Sequence, residues 1–249
     1  MFALEQWHQR FEQQARWTGS VRRFLFQQAN VTQADTILEV GCGSGAILQD
    51  LAQTTGARLA GIDLKLDYLK YARFQAPRAN LVCGDGLSLP FKAGSFSHTC
   101  CHYFLLWVSD PLQSLAEMRR VTQPGGFILA LAEPDYGGRI DYPETLVQIG
   151  RLQAQSLQRQ GADPSIGRKL RGLFRRAGLR NVAVGVLGGQ WSEPLAESEQ
   201  SLEWQTLATD LAGEIAPDLL ADLENADLES WRNGERILYV PTFYAIGQV

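Results

Sequence analysis

Residues 36–48 read Thr-Ile-Leu-Glu-Val-Gly-Cys-Gly-Ser-Gly-Ala-Ile-Leu. The apolar and β-branched run at 37–40 predicts a short buried strand. Helical spacing of apolar side chains resumes at residue 46, after a turn in which glycine lets the backbone approach a ligand closely. The turn glycines are Gly41, Gly43 and Gly45. A strand, a glycine turn and the free amides of a helix N-terminus together predict a nucleotide-type binding site.

The glycine pattern by itself leaves two kinds of ligand open. Gly41-x-Gly43-x-x-Ala46 also satisfies the dinucleotide fingerprint, and Asp63 lies at about the right distance along the chain. Glu39, however, places an acid at the mouth of the loop, where it would repel a pyrophosphate and attract a cation. This favours S-adenosylmethionine, which carries a sulfonium and an ammonium group but no phosphate.

Composition indicates an ordinary water-soluble α/β protein. The 249 residues suffice for one domain with an insertion, and 45% of them are hydrophobic. Because no apolar run approaches the roughly 20 residues of a membrane span, and no signal core opens the chain, we expect a cytoplasmic protein without membrane contact. The four cysteines lack metal-like spacing, which indicates reduced thiols and no metal site.

Charge is distributed unevenly along the chain. Residues 1–192 hold 21 Lys/Arg and 15 Asp/Glu, whereas residues 193–235 hold 12 acids and one base. The acidic stretch predicts a helical insertion, with helices over 197–212 and 216–231. Such a charge also argues against a nucleic-acid groove across the whole molecule.

Strand and helix patterns alternate through the first half of the chain. After helices predicted near 2–16 and 20–29, strands are expected at 37–40, 58–62, 81–83, 96–101 and 127–132. This alternation predicts a parallel sheet with right-handed crossovers, which binds ligands beyond the carboxyl ends of its strands. The residues predicted at those ends are Glu39 to Gly45, Asp63, Asp85 and Cys101-His102. Further strands are expected at 182–187 and 237–246, with Pro241 indicating an edge position or a bulge.

Four segments carry a family resemblance. They are residues 38–45 (Leu-Glu-Val-Gly-Cys-Gly-Ser-Gly), 61–63 (Gly-Ile-Asp), 84–91 (Gly-Asp-Gly-Leu-Ser-Leu-Pro-Phe) and 115–126, which ends in Pro-Gly-Gly. Over residues 34–135 the chain resembles the class I S-adenosylmethionine-dependent methyltransferases. One departure is Ser97 in the fourth strand, where the family usually has an aspartate.

The resemblance implies a Rossmann-like, doubly wound α/β sheet of seven strands, mostly parallel with the last strand antiparallel. N-terminal helices precede this sheet, and a helical insertion separates strands six and seven. We expect one domain over 1–249, divided into a helical lid (1–33), a core (34–192), an acidic insertion (193–235) and a last strand (236–249). The implied cofactor-binding residues are Glu39, Gly41, Cys42, Gly43, Gly45, Asp63, Leu64, Asp85, Gly86, Leu87, Cys101 and His102.

Three residues are candidates for acting on the acceptor. His102 follows the fourth strand, and Asp135 and Tyr136 follow the fifth, so each borders the expected cleft. The alternatives are a structural histidine at a strand end and a glycine-rich turn that Asp135 caps.

The resulting hypothesis is an S-adenosylmethionine-dependent methyltransferase with an unidentified small-molecule acceptor, acting as a monomer or homodimer without nucleic-acid or membrane partners. An NAD(P)-dependent oxidoreductase and a noncatalytic S-adenosylmethionine-binding protein remain alternatives.

Overall fold

The computed structural model describes residues 3–189 and 196–249. The first two elements are helices. Their apolar residues recur at helical spacing and pack on the sheet that follows. They are α1 (Leu4–Trp17) and α2 (Gly19–Gln28). The alternating half contains β1 (Thr36–Val40), α3 (Ala46–Thr54), β2 (Arg58–Asp63), α4 (Leu66–Gln75), β3 (Asn80–Cys83), β4 (Phe96–Cys101), α5 (Pro111–Val121) and β5 (Thr122–Pro134).

The second half is less regular. Its elements are β6 (Ile140–Tyr142), α6 (Val147–Arg159), α7 (Leu170–Arg176), β7 (Arg180–Val186), α8 (Glu197–Asp210), α9 (Pro217–Arg232), β8 (Ile237–Tyr239) and β9 (Thr242–Gln248). Helices α8 and α9 fall within the predicted acidic insertion, whose first residues, 193–195, lie outside the described part of the chain.

One seven-stranded sheet organises the molecule, in the order β3-β2-β1-β4-β5-β9-β7. Strands β1 to β5 pair in parallel, and β9 runs antiparallel to both β5 and β7. This confirms the predicted fold class. The strand order reverses between β1 and β4, which is where open α/β sheets form their ligand crevice.

The prediction of a single strand at 237–246 is wrong. Pro241 lies in a break between β8 and β9, because proline has no N–H to donate to a ladder. Before the break, β8 pairs with β6 in a separate two-stranded antiparallel sheet. After it, β9 pairs on both sides, so it lies inside the main sheet and not at an edge.

Ser97 has a structural role in place of the family's aspartate. Its backbone N–H donates to Thr36 Oγ1 at 3.0 Å, and its hydroxyl accepts from the Thr36 N–H at 3.2 Å. This exchange joins the starts of β1 and β4, which are neighbours in the sheet. The backbone N–H groups of Thr36 and Ser97 therefore have hydrogen-bond partners although the aspartate carboxylate is missing.

Apolar side chains fill both faces of the sheet. One cluster lies between the sheet and helices α5 and α7, and a second lies between it and α2 and α3. A third, smaller cluster joins α6 to the insertion through Leu146, Ile149, Trp204, Leu207 and Leu223. The insertion thus buries an apolar face of its own. Across the described residues, none of the helices is both long enough and apolar enough to cross a membrane.

Candidate active site

The glycine turn follows β1 as predicted. Gly41, Gly43 and Gly45 all have positive φ angles, of 74°, 50° and 88°. A Cβ on Gly41 would lie 2.3 Å from the Phe104 ring, so both the backbone conformation and the neighbouring ring require glycine there. The Gly41 N–H donates to the Ile62 carbonyl at 2.8 Å, which fixes the turn against β2.

Asp63 connects the end of β2 to this turn. Its Oδ2 accepts the Gly43 N–H at 2.8 Å, and its Oδ1 accepts the Lys65 N–H at 2.9 Å. The next residue, Leu64, is 71% exposed. The structure therefore places the Asp63 carboxylate beside the glycine loop, at the carboxyl edge of the sheet.

Glu39 is a buried carboxyl group with an unsatisfied oxygen. Its Oε2 has no hydrogen-bond partner within the described part of the chain. Burial raises the pKa of Glu39 well above its usual value, while the charge of Arg22 opposes this increase. Because a buried acceptor without a donor is unfavourable, this position suits a ligand that supplies a cation or an N–H group. These are the groups that S-adenosylmethionine carries.

The segment after β3 forms the other side of the crevice. Asp85 is exposed, and its Oδ1 accepts the Leu87 N–H at 2.9 Å in a local turn. A Cβ on Gly86 would lie 2.6 Å from the Phe104 ring. Phe104 therefore touches both glycine segments and holds them at a fixed separation. Phe104 is not among the site residues predicted from the sequence, because an apolar residue after a strand has no distinctive sequence signal.

Two cysteines of the predicted set direct their sulfur atoms away from solvent. Cys42 and Cys101 are buried, and burial raises the pKa of both thiols well above the usual value. The Cys101 Sγ lies 3.9 Å from Glu133 Oε1 in the core. Any part these residues take in ligand binding would therefore involve their backbone groups.

His102 is tied to the junction of α1 and α2. Its Nε2 lies 2.9 Å from Thr18 Oγ1, which donates to the Gln14 carbonyl at 3.0 Å and accepts from Arg22 Nη1 at 3.2 Å. Either atom can donate in the contact between His102 and Thr18, depending on the tautomer of the ring. Burial, with a smaller effect of Arg22, lowers the pKa of His102 to about 3. The ring is therefore neutral at neutral pH.

Asp135 is engaged by an arginine. The Arg168 Nη2 lies 2.8 Å from Asp135 Oδ1, and Arg168 Nε donates to Oδ2. A bidentate pair of this kind occupies both carboxylate oxygens. It joins the segment after β5 to Arg168, just before the start of α7. A role of Asp135 as a base stays a prediction.

Glu133 is a further buried acid, at the end of β5. Its oxygens accept the backbone N–H groups of Phe104, Leu105 and Leu106 at 3.0, 2.9 and 3.3 Å. Burial raises the pKa of Glu133 to about 7, against the effect of these hydrogen bonds. This carboxyl group joins the end of β5 to the segment after β4, so Tyr103 and Tyr136 follow two strand ends that are held together.

Helix α1 covers the glycine turn. His8 Nδ1 lies 2.7 Å from the Ser44 hydroxyl, within the turn. The Phe11 ring would be 3.4 Å from a Cβ on Gly43, and it meets the Tyr68 ring edge-on. Helix α1 therefore lies over the glycine turn, within the segment for which a lid is predicted.

Helix α8 of the insertion is joined to α1 by ion pairs. Arg10 Nη1 lies 2.5 Å from Glu203 Oε2, and Arg16 Nη2 lies 3.0 Å from Glu199 Oε1. The first pair is buried and the second is largely exposed. The two helices thus form one cover, and the buried pair lies close enough to Tyr103 and Tyr136 to affect the pKa of both phenols.

Comparison with known proteins gives consistent results. A family model described as a methyltransferase domain matches residues 38–130. The chain is 33% identical over 168 residues to an uncharacterized 37.1 kDa protein in transposon TN4556 of Streptomyces fradiae, which covers 64% of this chain and 48% of that protein. The chain thus spans about half the length of this relative. It is 30% identical over 191 residues to a demethylmenaquinone methyltransferase of Bacillus licheniformis, covering 69% of this chain and 80% of that enzyme.

A solved structure agrees at the level of the fold. It is a chain from the complex between the Haloferax volcanii Trm112 methyltransferase activator and a methyltransferase, with 21% identity and a TM-score of 0.59. The match covers 97% of this chain and 96% of that one. Together with the similarity across most of the Bacillus enzyme, this establishes that the chain belongs to the class I S-adenosylmethionine-dependent methyltransferases.

Proposed function

We propose that this methyltransferase acts on a small-molecule acceptor bound between the ends of β4 and β5, beneath α1 and α8. The observation that carries this proposal is the buried pair of Arg10 and Glu203, which joins the two covering helices. A cleft enclosed by two helices suits a small molecule better than a polymer, whose chain would need an open groove. The Bacillus relative is named for a small-molecule acceptor, demethylmenaquinone.

The cofactor-binding residues follow from the same geometry. Glu39, the glycine turn, Asp63 and Asp85 would hold S-adenosylmethionine, since they combine close backbone approach with acceptors for its cationic, hydroxyl and amino groups. When bound, this cofactor supplies a methyl group that its sulfonium already activates. The protein therefore has mainly to align the acceptor with that methyl group and to exclude water.

The residues around the cleft favour an acceptor that does not need a strong base. Burial lowers the pKa of His102 to about 3, so its ring is a weak proton acceptor at neutral pH. Arg168 occupies both oxygens of Asp135. Burial raises the pKa of Tyr136, which keeps that phenol protonated as a hydrogen-bond donor. We therefore assign His102 and Tyr136 to positioning the acceptor.

We also propose that the chain is one methyltransferase domain. In it residues 1–33 act as a lid over the acceptor, and residues 193–235 form the second half of that cover. We further propose a cytoplasmic enzyme, which the four unpaired cysteines support, because thiols remain reduced there.

Transfer of a labelled methyl group tests the proposal directly. The purified protein would be incubated with methyl-labelled S-adenosylmethionine and a cell extract, which is then divided by ultrafiltration into small molecules and macromolecules. We expect label among the small molecules, and none with an Asp63→Ala variant that binds the cofactor poorly. Label found mainly in protein or nucleic acid would contradict a small-molecule acceptor.

A further inference from the structure

Arg10 has a buried hydrogen-bond donor without a partner. The residue is only 5% exposed, although it lies on the first helix of the chain. Its Nη1 donates to Gln13 Oε1 at 2.6 Å and to Glu203 Oε2 at 2.5 Å. Its Nε has no acceptor among residues 3–189 and 196–249. Because buried donors in folded proteins are nearly always satisfied, this N–H indicates a further acceptor, and a bound ligand can supply one.

The position of Arg10 indicates where that partner would bind. Tyr103 follows β4 and Tyr136 follows β5, and both side chains are partly buried against the core cluster. The Tyr103 backbone has a φ of 49°, an uncommon conformation for a residue other than glycine. Such conformations occur preferentially at functional sites, where surrounding contacts maintain them. The Tyr103 N–H provides one such contact, by donating to the Ala132 carbonyl at 2.8 Å.

The two phenols are donors at neutral pH. Burial raises the pKa of both Tyr103 and Tyr136, while the charge of Arg10 partly opposes this increase. Each hydroxyl therefore keeps its proton. Because the Tyr103 hydroxyl is hydrogen-bonded to Thr242, the donors offered to a ligand are Arg10 Nε–H and the Tyr136 hydroxyl.

We propose that Arg10 Nε and the hydroxyl of Tyr136 bind the phenolate or enolate oxygen of the methyl acceptor. This inference rests on the small-molecule function proposed above and specifies the acceptor class. It also explains how methylation proceeds without a strong protein base, since the acceptor would be bound in its ionised, nucleophilic form. The guanidinium stabilises an anionic oxygen more strongly than a neutral one.

The charges that face Arg10 are compatible with one bound anion. Glu203 neutralises the guanidinium through the hydrogen bond to Nη1. Asp210, at the end of α8, accepts from Gln153 Nε2 at 3.0 Å, and burial raises its pKa, which favours its neutral form. The protein groups therefore nearly cancel. An acceptor anion would then be balanced by the sulfonium cation beside it.

Spectroscopic titration of 4-nitrophenol tests the proposal without turnover. The full-length protein is saturated with sinefungin, a cofactor analogue that carries an ammonium group where the cofactor carries its sulfonium, and the visible absorbance of bound 4-nitrophenolate is followed against pH. We expect the pKa of the bound probe to fall by about one unit or more relative to the free probe, because this ammonium group and the donors of Arg10 and Tyr136 favour the anion. Arg10→Gln should abolish this shift, and Tyr136→Phe should reduce it.

Two variants separate acceptor binding from a structural role of the ion pair. Arg16→Gln also removes a contact between α1 and α8, but its guanidinium is 59% exposed, so the probe's pKa should stay as in the wild type. Glu203→Gln leaves Arg10 without its neutralising partner, and the pKa of the bound probe should then fall further. If the pair only held the two helices together, Glu203→Gln would weaken probe binding in the same way as Arg10→Gln.

Several outcomes would overturn the proposal. One is an unchanged probe pKa in the wild type, and another is an equal loss of the shift in Arg16→Gln. Competition by benzoate at an affinity equal to that of 4-nitrophenol would assign a carboxylate in place of a phenolate. Calorimetry with S-adenosylhomocysteine and a thermal melt accompany each variant, and Arg10→Lys replaces Arg10→Gln if the latter does not fold. Normal cofactor affinity with a neutral bound probe would reject this inference alone, whereas label in macromolecules would reject the small-molecule function.

Discussion

Asp63 provides the sharpest test of the cofactor site. Its carboxylate accepts the Gly43 N–H at 2.8 Å and the Lys65 N–H at 2.9 Å, and it lies where the ribose hydroxyls of the cofactor are expected. Asp63→Ala removes the charge-assisted hydrogen bonds to the ligand, which together contribute about 2–3 kcal/mol. At 1.4 kcal/mol per factor of ten, affinity for S-adenosylhomocysteine should fall about 30- to 150-fold.

The same substitution also releases the glycine turn. Loss of two backbone hydrogen bonds at a partly exposed carboxylate should lower the free energy of unfolding by about 1 kcal/mol. Isothermal titration with S-adenosylhomocysteine measures the first effect, and urea denaturation measures the second. Asp67→Ala is a suitable control, because it removes a nearby carboxylate whose side chain is 81% exposed and pairs with Lys70. The assignment of Asp63 would be refuted by an affinity within twofold of the wild type.

Three other predictions follow from the glycine turn, the histidine and the lid. Gly41→Ala places a methyl group 2.3 Å from the Phe104 ring and should lower the free energy of unfolding by about 2–4 kcal/mol. In the control Gly125→Ala the new methyl group has no neighbouring atom within 4 Å, so the free energy of unfolding should fall by only about 1–2 kcal/mol. Equal losses of the two variants in urea denaturation would contradict the close contact. Because the pKa of His102 is about 3 in the folded protein and about 6.5 in the unfolded chain, the unfolded state binds the proton first, and stability should fall by up to about 1.4 kcal/mol per unit as the pH drops below 6.5. His102→Gln should remove this part of the pH dependence, and an identical slope in the variant would disprove it. Amide hydrogen exchange in residues 3–28 should slow when S-adenosylhomocysteine binds, since α1 contacts the glycine turn through His8; exchange that is unaffected by the ligand would leave these helices with a packing role only.

Local sequence determined most of the sheet and the cofactor edge. The strands at 36–40 and 58–63 were recognisable because their apolar runs end at a glycine and at an acid, and the glycines at 41, 43 and 45 predicted the tight turn, in which all three have positive φ angles. Glu39 favoured S-adenosylmethionine over a dinucleotide, and membership of the methyltransferase family decides against an NAD(P)-dependent oxidoreductase. The insertion helices were also predicted closely, because charge and composition are local properties.

Only the tertiary structure decided which side chains meet at the acceptor cleft. Arg168 pairs with Asp135 across 33 residues, and Arg10 pairs with Glu203 across 193. The pairing of β8 with β6 likewise depends on a partner strand almost 100 residues away. Spacing along a chain indicates which face of a helix or strand a residue occupies, but not which distant element packs against that face. The sequence alone therefore identified Asp135 as a candidate base, whereas tertiary packing decided that it binds Arg168 and that the Nε of Arg10 has no acceptor within the described residues.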